Sequence, residues 1–236
     1  MEPTDLNRRA WDEVHRRRTK AMRGRLGLPQ VVRAALGELT GRRVLHLQCA
    51  TGESTVELAE LGALVTGVDI SGEALAVARE RSPEIAWVQA DVLGLPSELK
   101  RNRFDLVYTG GGVLPWLPEL EPWASGIAGA LRARGDFLLH EEHPVAQCVA
   151  ESLRWQEDYF DEELHVYRGW THFELTGPAA TEEKVERFWR LGQVVTAVAR
   201  AGLVVRQLEE YPEHATFAGR HSAKVPGSFI LLARKP

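Results

Sequence analysis

Val44-Leu45-His46-Leu47-Gln48-Cys49-Ala50-Thr51-Gly52-Glu53, followed by Leu64-Val65-Thr66-Gly67-Val68-Asp69-Ile70-Ser71, decides the fold of this chain. The first run reads as a buried strand entering a tight turn of small residues. The helix that follows ends at Gly62, and a second strand closes on an acid, Asp69. A β-turn-α-β unit of this kind holds a nucleoside-bearing ligand. Its turn lets backbone approach the ligand, the helix N-terminus favours negative charge, and the carboxylate accepts ribose hydroxyls.

The same alternation extends outward. Helices are expected from Asp5 to about Arg25 and from Pro29 to Leu39, then a strand over Arg43–Leu47. A helix over Ser54–Leu61 leads to strand Leu64–Asp69, and Ser71 is a good N-cap for a helix over Gly72–Arg81. Further strands are expected at Ile85–Ala90, Phe104–Thr109 and Asp136–His140, with helices near Pro96–Arg101 and Glu119–Ala133. Repeated β-α units imply parallel strands with helices on both faces. After Pro144 the register changes. Residues 151–181 carry Trp155, Tyr159, Phe160, Tyr167, Trp170 and Phe173 among many charges, with strand-like alternation over His165–Leu175. That length exceeds an ordinary connection and suggests an inserted cap. A helix over about Glu182–Ala201 and strands Leu203–Glu209 and Ser228–Arg234 complete the pattern.

The expected fold is therefore α/β, a doubly wound Rossmann-like sheet of seven mostly parallel strands with an antiparallel last strand. The expected divisions are an N-terminal helical lid at 1–40, a cofactor-binding core at 41–150, the cap at 151–181 and a C-terminal part of the core at 182–236. A chain of 236 residues, 44% hydrophobic, is long enough for one large α/β core. Its net charge of -4 demands no polyanionic partner, although Arg8, Arg9, Arg16, Arg17, Arg18, Lys20, Arg23 and Arg25 form a basic stretch. With Trp11 the lone aromatic nearby, that stretch reads as a solvated helix face. Cys49 and Cys148 are far apart and lack metal-ligand spacing, which points to a reducing, cytoplasmic compartment. Neither a secretory signal nor an apolar run long enough for a membrane span is evident. A monomer or homodimer is expected.

The glycine pattern narrows the ligand. Nicotinamide and flavin folds prefer G-x-G-x-x-G, whose three positions here would be Gln48, Ala50 and Glu53. A spacing of small residues at every second position fits better, through Ala50 and Gly52. On its own this signal is weak.

Taken with the rest of the chain, the sequence resembles the class I S-adenosylmethionine-dependent methyltransferases. Val44–Gly52 is similar to their first motif, V-L-D-L-G-C-G-T-G, in a variant form with His46, Gln48 and Ala50 replacing an acid and two glycines. The L-H-L-Q-C form, Gly112–Pro118 and Glu142-His143-Pro144 resemble a subgroup of that family. Val68-Asp69-Ile70-Ser71 looks like the second motif and Gln89-Ala90-Asp91-Val92 like the third. Phe104–Thr109 is similar to the strand before the methyl-transfer cleft. The resemblance implies S-adenosyl-L-methionine as cofactor, S-adenosyl-L-homocysteine as product and a small-molecule acceptor. It implies cofactor contacts at Gln48, Cys49, Ala50, Gly52, Asp69, Ile70, Asp91, Val92, Thr109 and Gly110. Adenine would lie between Ile70 and Val92.

Each candidate also has a plainer reading. Asp69 and Asp91 could serve as helix N-terminal charges. Thr109-Gly110-Gly111-Gly112 could be a flexible turn, yet three glycines after a strand favour a place where cofactor and substrate meet. His140-Glu141-Glu142-His143 invites a metal, but strand alternation sends neighbours to opposite faces, so no metal is expected. His143 is the candidate general base, against a structural role before Pro144. Trp116, Tyr159, Phe160, Tyr167 and Trp170 are candidate substrate contacts, or a small core of the cap. Methyl transfer needs no triad, because the cofactor carries the reactivity and the protein aligns the partners. A non-catalytic S-adenosylmethionine-binding protein and, less favoured, a nicotinamide-dependent oxidoreductase stand as alternatives. Whether the lost glycines matter depends on φ, since only a positive value makes a side chain costly there.

Overall fold

A computed structural model describes residues 1–17, 27–150, 152–170, 180–212 and 224–236. Helices α1 (Pro3–Arg17) and α2 (Gln30–Leu36) precede β1 (Arg43–Leu47), α3 (Glu53–Glu60), β2 (Leu64–Asp69), α4 (Gly72–Arg81) and β3 (Ala86–Gln89). Then come β4 (Phe104–Gly110), α5 (Glu121–Ala130), β5 (Leu131–Glu142), α6 (Pro144–Cys148), β6 (Leu164–Arg168) and β7 (Glu183–Arg187). Helix α7 (Leu191–Arg200) and strands β8 (Val204–Tyr211) and β9 (Ser228–Arg234) end the chain.

Seven strands form one sheet in the order β3-β2-β1-β4-β5-β9-β8. Strands β1 to β5 pair in parallel, and β9 runs antiparallel to both neighbours. The strand order reverses between β1 and β4, so the carboxyl ends of these strands frame a crevice. Alternation along β1 explains the two cores. Leu45 and Leu47 join Trp123, Ile127 and Phe137 on one face. Val44 joins Val32, Leu58 and Leu138 on the other, where His46 stacks on Tyr108 at 4.9 Å.

Three expectations need correction. Pro96–Arg101 is not a helix; only turn bonds form there, Leu99 N–H to Pro96 O at 3.0 Å and Lys100 N–H to Ser97 O at 3.1 Å. Leu95 and Leu99 instead anchor the turn in the core beside α5. The helix expected from Glu182 begins only at Leu191, because residues 183–187 are strand β7. Tertiary partners override the helical pattern there: Asn7 of α1 accepts from Val185 N–H at 2.7 Å and donates to Val185 O at 2.8 Å. Strand β7 pairs with β6 in a two-stranded ribbon, which therefore extends past residue 181, where the expected cap ends. Finally, β5 spans Leu131–Glu142, much longer than expected. The expected end of α1, residues 18–25, falls outside the described residues, as does the alternation at 171–175.

Helix α1 lies across the cap and the crevice. Glu13 accepts from Thr181 and Glu182 N–H at 3.0 to 3.2 Å, and Asp12 accepts from Ser71 Oγ at 2.7 Å, at the start of α4. The arginines of α1 meet acids: Arg9 with Glu182 at 3.4 Å, Arg16 with Glu73 at 3.5 Å and Arg17 with Glu13 at 2.7 Å. Among the described residues, no helix is long and apolar enough to cross a membrane.

Candidate functional site

The turn after β1 holds its shape through residues in left-handed backbone. Gln48 sits at φ 53° and Ala50 at φ 48°, both in the region that favours glycine. Gly52 follows at φ 81° as the N-cap of α3. A Cβ at Gly52 would lie 2.5 Å from the Trp87 ring, and one at Gly67 would meet the same ring at 2.5 Å. Two further bonds compensate Gln48: its Nε2 donates to Val113 O at 3.1 Å, and its Oε1 accepts from Thr109 Oγ1 at 3.1 Å.

Asp69 ties this turn to the next. Its Oδ2 accepts from Ala50 N–H at 2.7 Å and its Oδ1 from Ser71 N–H at 2.8 Å. Burial pushes its carboxyl up to about 6, and those N–H groups pull the other way. Each oxygen keeps a second lone pair, so the carboxylate can still accept from a diol. Asp91 caps the turn Val92–Gly94, accepting from Leu93 N–H at 2.9 Å. His46, where the related motif carries an acid, is neutral: burial depresses it to about 3, and its Nδ1 lies 2.7 Å from Thr55 Oγ1.

These residues surround a cavity of about 240 Å³. Gln48, Cys49, Ala50, Asp69, Ile70, Asp91, Val92 and Gly110 all line it. Gly52 and Thr109 stand behind the lining, Gly52 at the helix N-cap and Thr109 fully buried on Gln48. Trp11 and Asn7 of α1 close one side. The lining supplies an acid for hydroxyls, apolar Ile70 and Val92 for a flat ring, and polar backbone at the turn. That donor and acceptor set fits a nucleoside.

The glycine loop after β4 has a different anchor, one that the sequence reading missed. Glu141 is buried and accepts from Gly112 N–H at 2.8 Å, Val113 N–H at 2.6 Å and Leu114 N–H at 3.0 Å. It also accepts from Glu142 N–H at 2.7 Å. Burial raises its carboxyl to about 7 against the pull of these donors. An acid at an inward position of a buried strand was the available signal, since such a group needs donors. Gly110 permits close strand pairing, because a Cβ there would lie 2.3 Å from His140 O.

Strand alternation separates the four residues His140 to His143. His140 lines the cofactor-sized cavity, Glu141 holds the loop, and Glu142 faces a second cavity. His143 lines neither. It caps α6, its Nδ1 accepting from Val145 N–H at 3.1 Å, and its Nε2 lies 2.8 Å from Glu210 of β8. The structure therefore does not bring His143 to either cavity. His140 lines the first instead, with burial lowering its pKa and its Nδ1 without a hydrogen-bond partner among the described residues.

The second cavity, of about 730 Å³, adjoins the first through Trp11, Gly111, Gly112 and Trp116. Of the candidate substrate contacts, Trp116, Tyr167 and Trp170 line it, whereas Tyr159 and Phe160 do not. Tyr159 packs on Phe160 and Phe188, and Phe160 is 68% exposed. Trp11 meets Trp170 at 4.7 Å and Trp116 at 4.9 Å, so α1, the glycine loop and the ribbon converge on one indole cluster. Asn7 reinforces this junction by donating to Trp116 O at 3.2 Å.

Comparison with known proteins places this geometry in a family. Residues 44–135 match the family model described as a methyltransferase domain. The chain carries a methyltransferase domain. An uncharacterised methyltransferase of Synechocystis is 36% identical over 104 residues, 44% of this chain and 48% of that protein. A demethylmenaquinone methyltransferase of Beutenbergia cavernae is 35% identical over 98 residues, 42% of this chain and 38% of that protein. The matches thus span half or less of these relatives. The crystal structure of an S-adenosylmethionine-dependent methyltransferase from Mesorhizobium loti superposes with a TM-score of 0.66. It is 24% identical and covers 86% of this chain and 95% of that one, establishing the class I methyltransferase fold throughout the domain.

Proposed function

We propose that this protein transfers a methyl group from S-adenosylmethionine to a small-molecule acceptor. The observation that carries this reading is Asp69, a buried acid at the switch point. It is already braced by two N–H donors yet keeps lone pairs toward a nucleoside-sized cavity. Ile70 and Val92 would flank the adenine, and the turn at Gln48–Gly52 would face the amino-acid part. When bound, the cofactor supplies an electrophilic methyl group on a sulfonium. The chain's own task is to align the acceptor, exclude water and accept a proton where the acceptor carries one. His140, neutral at pH 7, takes the last role in place of His143. Relatives whose names specify a substrate include demethylmenaquinone, trans-aconitate and magnesium-protoporphyrin methyltransferases, which fits a small-molecule acceptor. The same reading places the protein in the cytoplasm, without a nucleic acid partner, as a monomer or homodimer.

Calorimetry with S-adenosylhomocysteine tests the reading. Binding to the wild type is expected, with Asp69→Ala weaker by about 1.5 to 3 kcal/mol for the lost charge-assisted bonds. Absence of wild-type binding, or binding of NADH instead, overturns it. A second reading, binding without turnover, draws on the Gln48 side chain standing where relatives of the motif carry glycine. Retained S-adenosylhomocysteine binding without methylation of any metabolite pool would favour it.

A further inference from the structure

We propose that the second cavity selects an organic cation, so that the acceptor is an amine carried on an apolar or aromatic body. This inference rests on the methyl-transfer reading and names its acceptor class. Four acidic residues, Glu157, Asp158, Asp161 and Glu186, line the space of about 730 Å³ beside the first cavity. Among the described residues, the basic groups near them are already engaged. Arg187 donates to Pro118 O at 2.9 Å and lies 4.3 Å from the Trp189 ring centre. His165 meets Asp161 at 2.6 Å, and Lys184 pairs with Glu186. Counting Arg187 and Lys184 as full charges still leaves these four acids in excess among the described residues. Two neighbouring groups register this field. Burial first, then Glu157 and Asp158, push the Cys148 thiol up to about 11. Burial, then Glu186, Glu157 and Asp161, likewise raise the Tyr167 hydroxyl.

The walls are suited to the same charge. Lys184 is only 6% exposed, and its Nζ lies 4.5 Å from the Trp170 ring centre, 5.3 Å from Trp116 and 5.7 Å from Tyr167. An ammonium thus already rests on the aromatic faces that border this space, where ring quadrupoles attract cations. A phenolate or carboxylate acceptor would enter against charges of its own sign, while a neutral acceptor would gain nothing from them.

The chemistry agrees with the electrostatics. An amine attacks through its lone pair; the N–C bond forms as the C–S bond breaks and sulfur keeps that electron pair. The positive charge that sulfur loses appears on nitrogen. Any proton shed by the ammonium beforehand passes to the neutral His140 imidazole. Carboxylates and ring faces around the nitrogen therefore stabilise charge that grows along the reaction. For an attacking oxyanion the charge would instead disappear, and the same groups would oppose binding.

The test is calorimetry on the full chain, with and without S-adenosylhomocysteine, using phenethylamine, 2-phenylethanol and 3-phenylpropanoate. The amine is expected to bind at least about tenfold tighter than the alcohol, with the acid weakest, and high salt should shrink the gap. Combining Glu157→Gln with Asp158→Asn should weaken the amine at least about fivefold, with the melting temperature reporting an intact fold. Equal binding of the three probes, no binding of any, a preference for the acid, or an amine preference untouched by the double variant overturns the proposal. The S-adenosylhomocysteine arm is independent: its failure refutes methyl transfer, and the amine preference is still read directly.

Discussion

Ala50→Gly should stabilise this protein, the reverse of what a substitution to glycine normally does. Ala50 is held at φ 48°, where the Cβ of an L-residue crowds the following carbonyl at a cost of about 1 to 2 kcal/mol. Removing the methyl group relieves that crowding. It also frees the unfolded chain, which costs about 0.4 to 1 kcal/mol. The Ala50 N–H bond to Asp69 belongs to the backbone and survives the change. The net expectation is about 0.8 kcal/mol of stabilisation, or a melting temperature higher by roughly 2 to 3 °C for a chain of this size. Gln48→Gly has the same backbone relief but loses bonds to Val113 and Thr109, each contributing about 0.5 to 1.5 kcal/mol. That variant should therefore be destabilised, by about 1 kcal/mol. Urea unfolding of wild type and both variants, with no ligand added, measures the three values on one scale. If Ala50→Gly lowers stability by as much as the unfolded-state term alone, the turn is not strained and the reasoning fails.

The other expectations concern acids and histidines. Cofactor affinity should fall about tenfold per pH unit below about 6, because protonating Asp69 removes the negative charge that ribose hydroxyls bind, and should be flat above it; affinity independent of pH from 5 to 8 would contradict the assigned contact. Glu141→Ala strands the N–H groups of Gly112, Val113, Leu114 and Glu142 and should cost about 3 kcal/mol or more in urea unfolding. A near-neutral result would mean that water or another acceptor serves the loop. His143→Ala should lower stability by about 1 to 2 kcal/mol through the lost cap and leave S-adenosylhomocysteine affinity unchanged, while His143→Asn restores the cap. His140→Ala should leave the melting temperature close to wild type and flatten the pH profile of methylation; an unchanged profile would remove His140 from proton transfer.

The sheet was legible because each of its central strands advertises itself locally. Strands β1, β2 and β9 and helix α4 coincide with their expected bounds, and Ser71 caps α4 by accepting from Ala74 N–H at 3.1 Å. Apolar runs bounded by Gly62, Asp69 or Ser82 leave little choice of ends. Strand β7 was illegible for the opposite reason. Glu183–Arg187 continues smoothly into the pattern of α7, and what makes it extended is pairing with β6 and the amide of Asn7, some 178 positions away. A local window contains neither partner.

The site divides in the same way. Its proposed cofactor side is built from contiguous turns, so the family resemblance could be carried residue by residue onto Asp69, Asp91 and the run from Gln48 to Gly52. What spacing could not reveal was the sign of φ at positions 48 and 50, since that depends on how the turn must reach Asp69. Its proposed acceptor side is assembled from α1, the glycine loop and the ribbon, each contributing one indole to the cluster of Trp11, Trp116 and Trp170. Single aromatics scattered over that distance carry no periodic signal, and Tyr159 and Phe160 looked equally eligible until the fold turned them away. Choosing among the histidines required only the face of β5. Odd and even positions alternate, and once Glu141 is committed to the loop amides its neighbours His140 and Glu142 must point to the opposite side, toward the crevice. His143 shares the parity of Glu141, and the chain turns into α6 immediately after it. The candidate base thus lies three residues earlier, on the face that lines the cavity, and opposite parity to a buried acid is the feature that points to it.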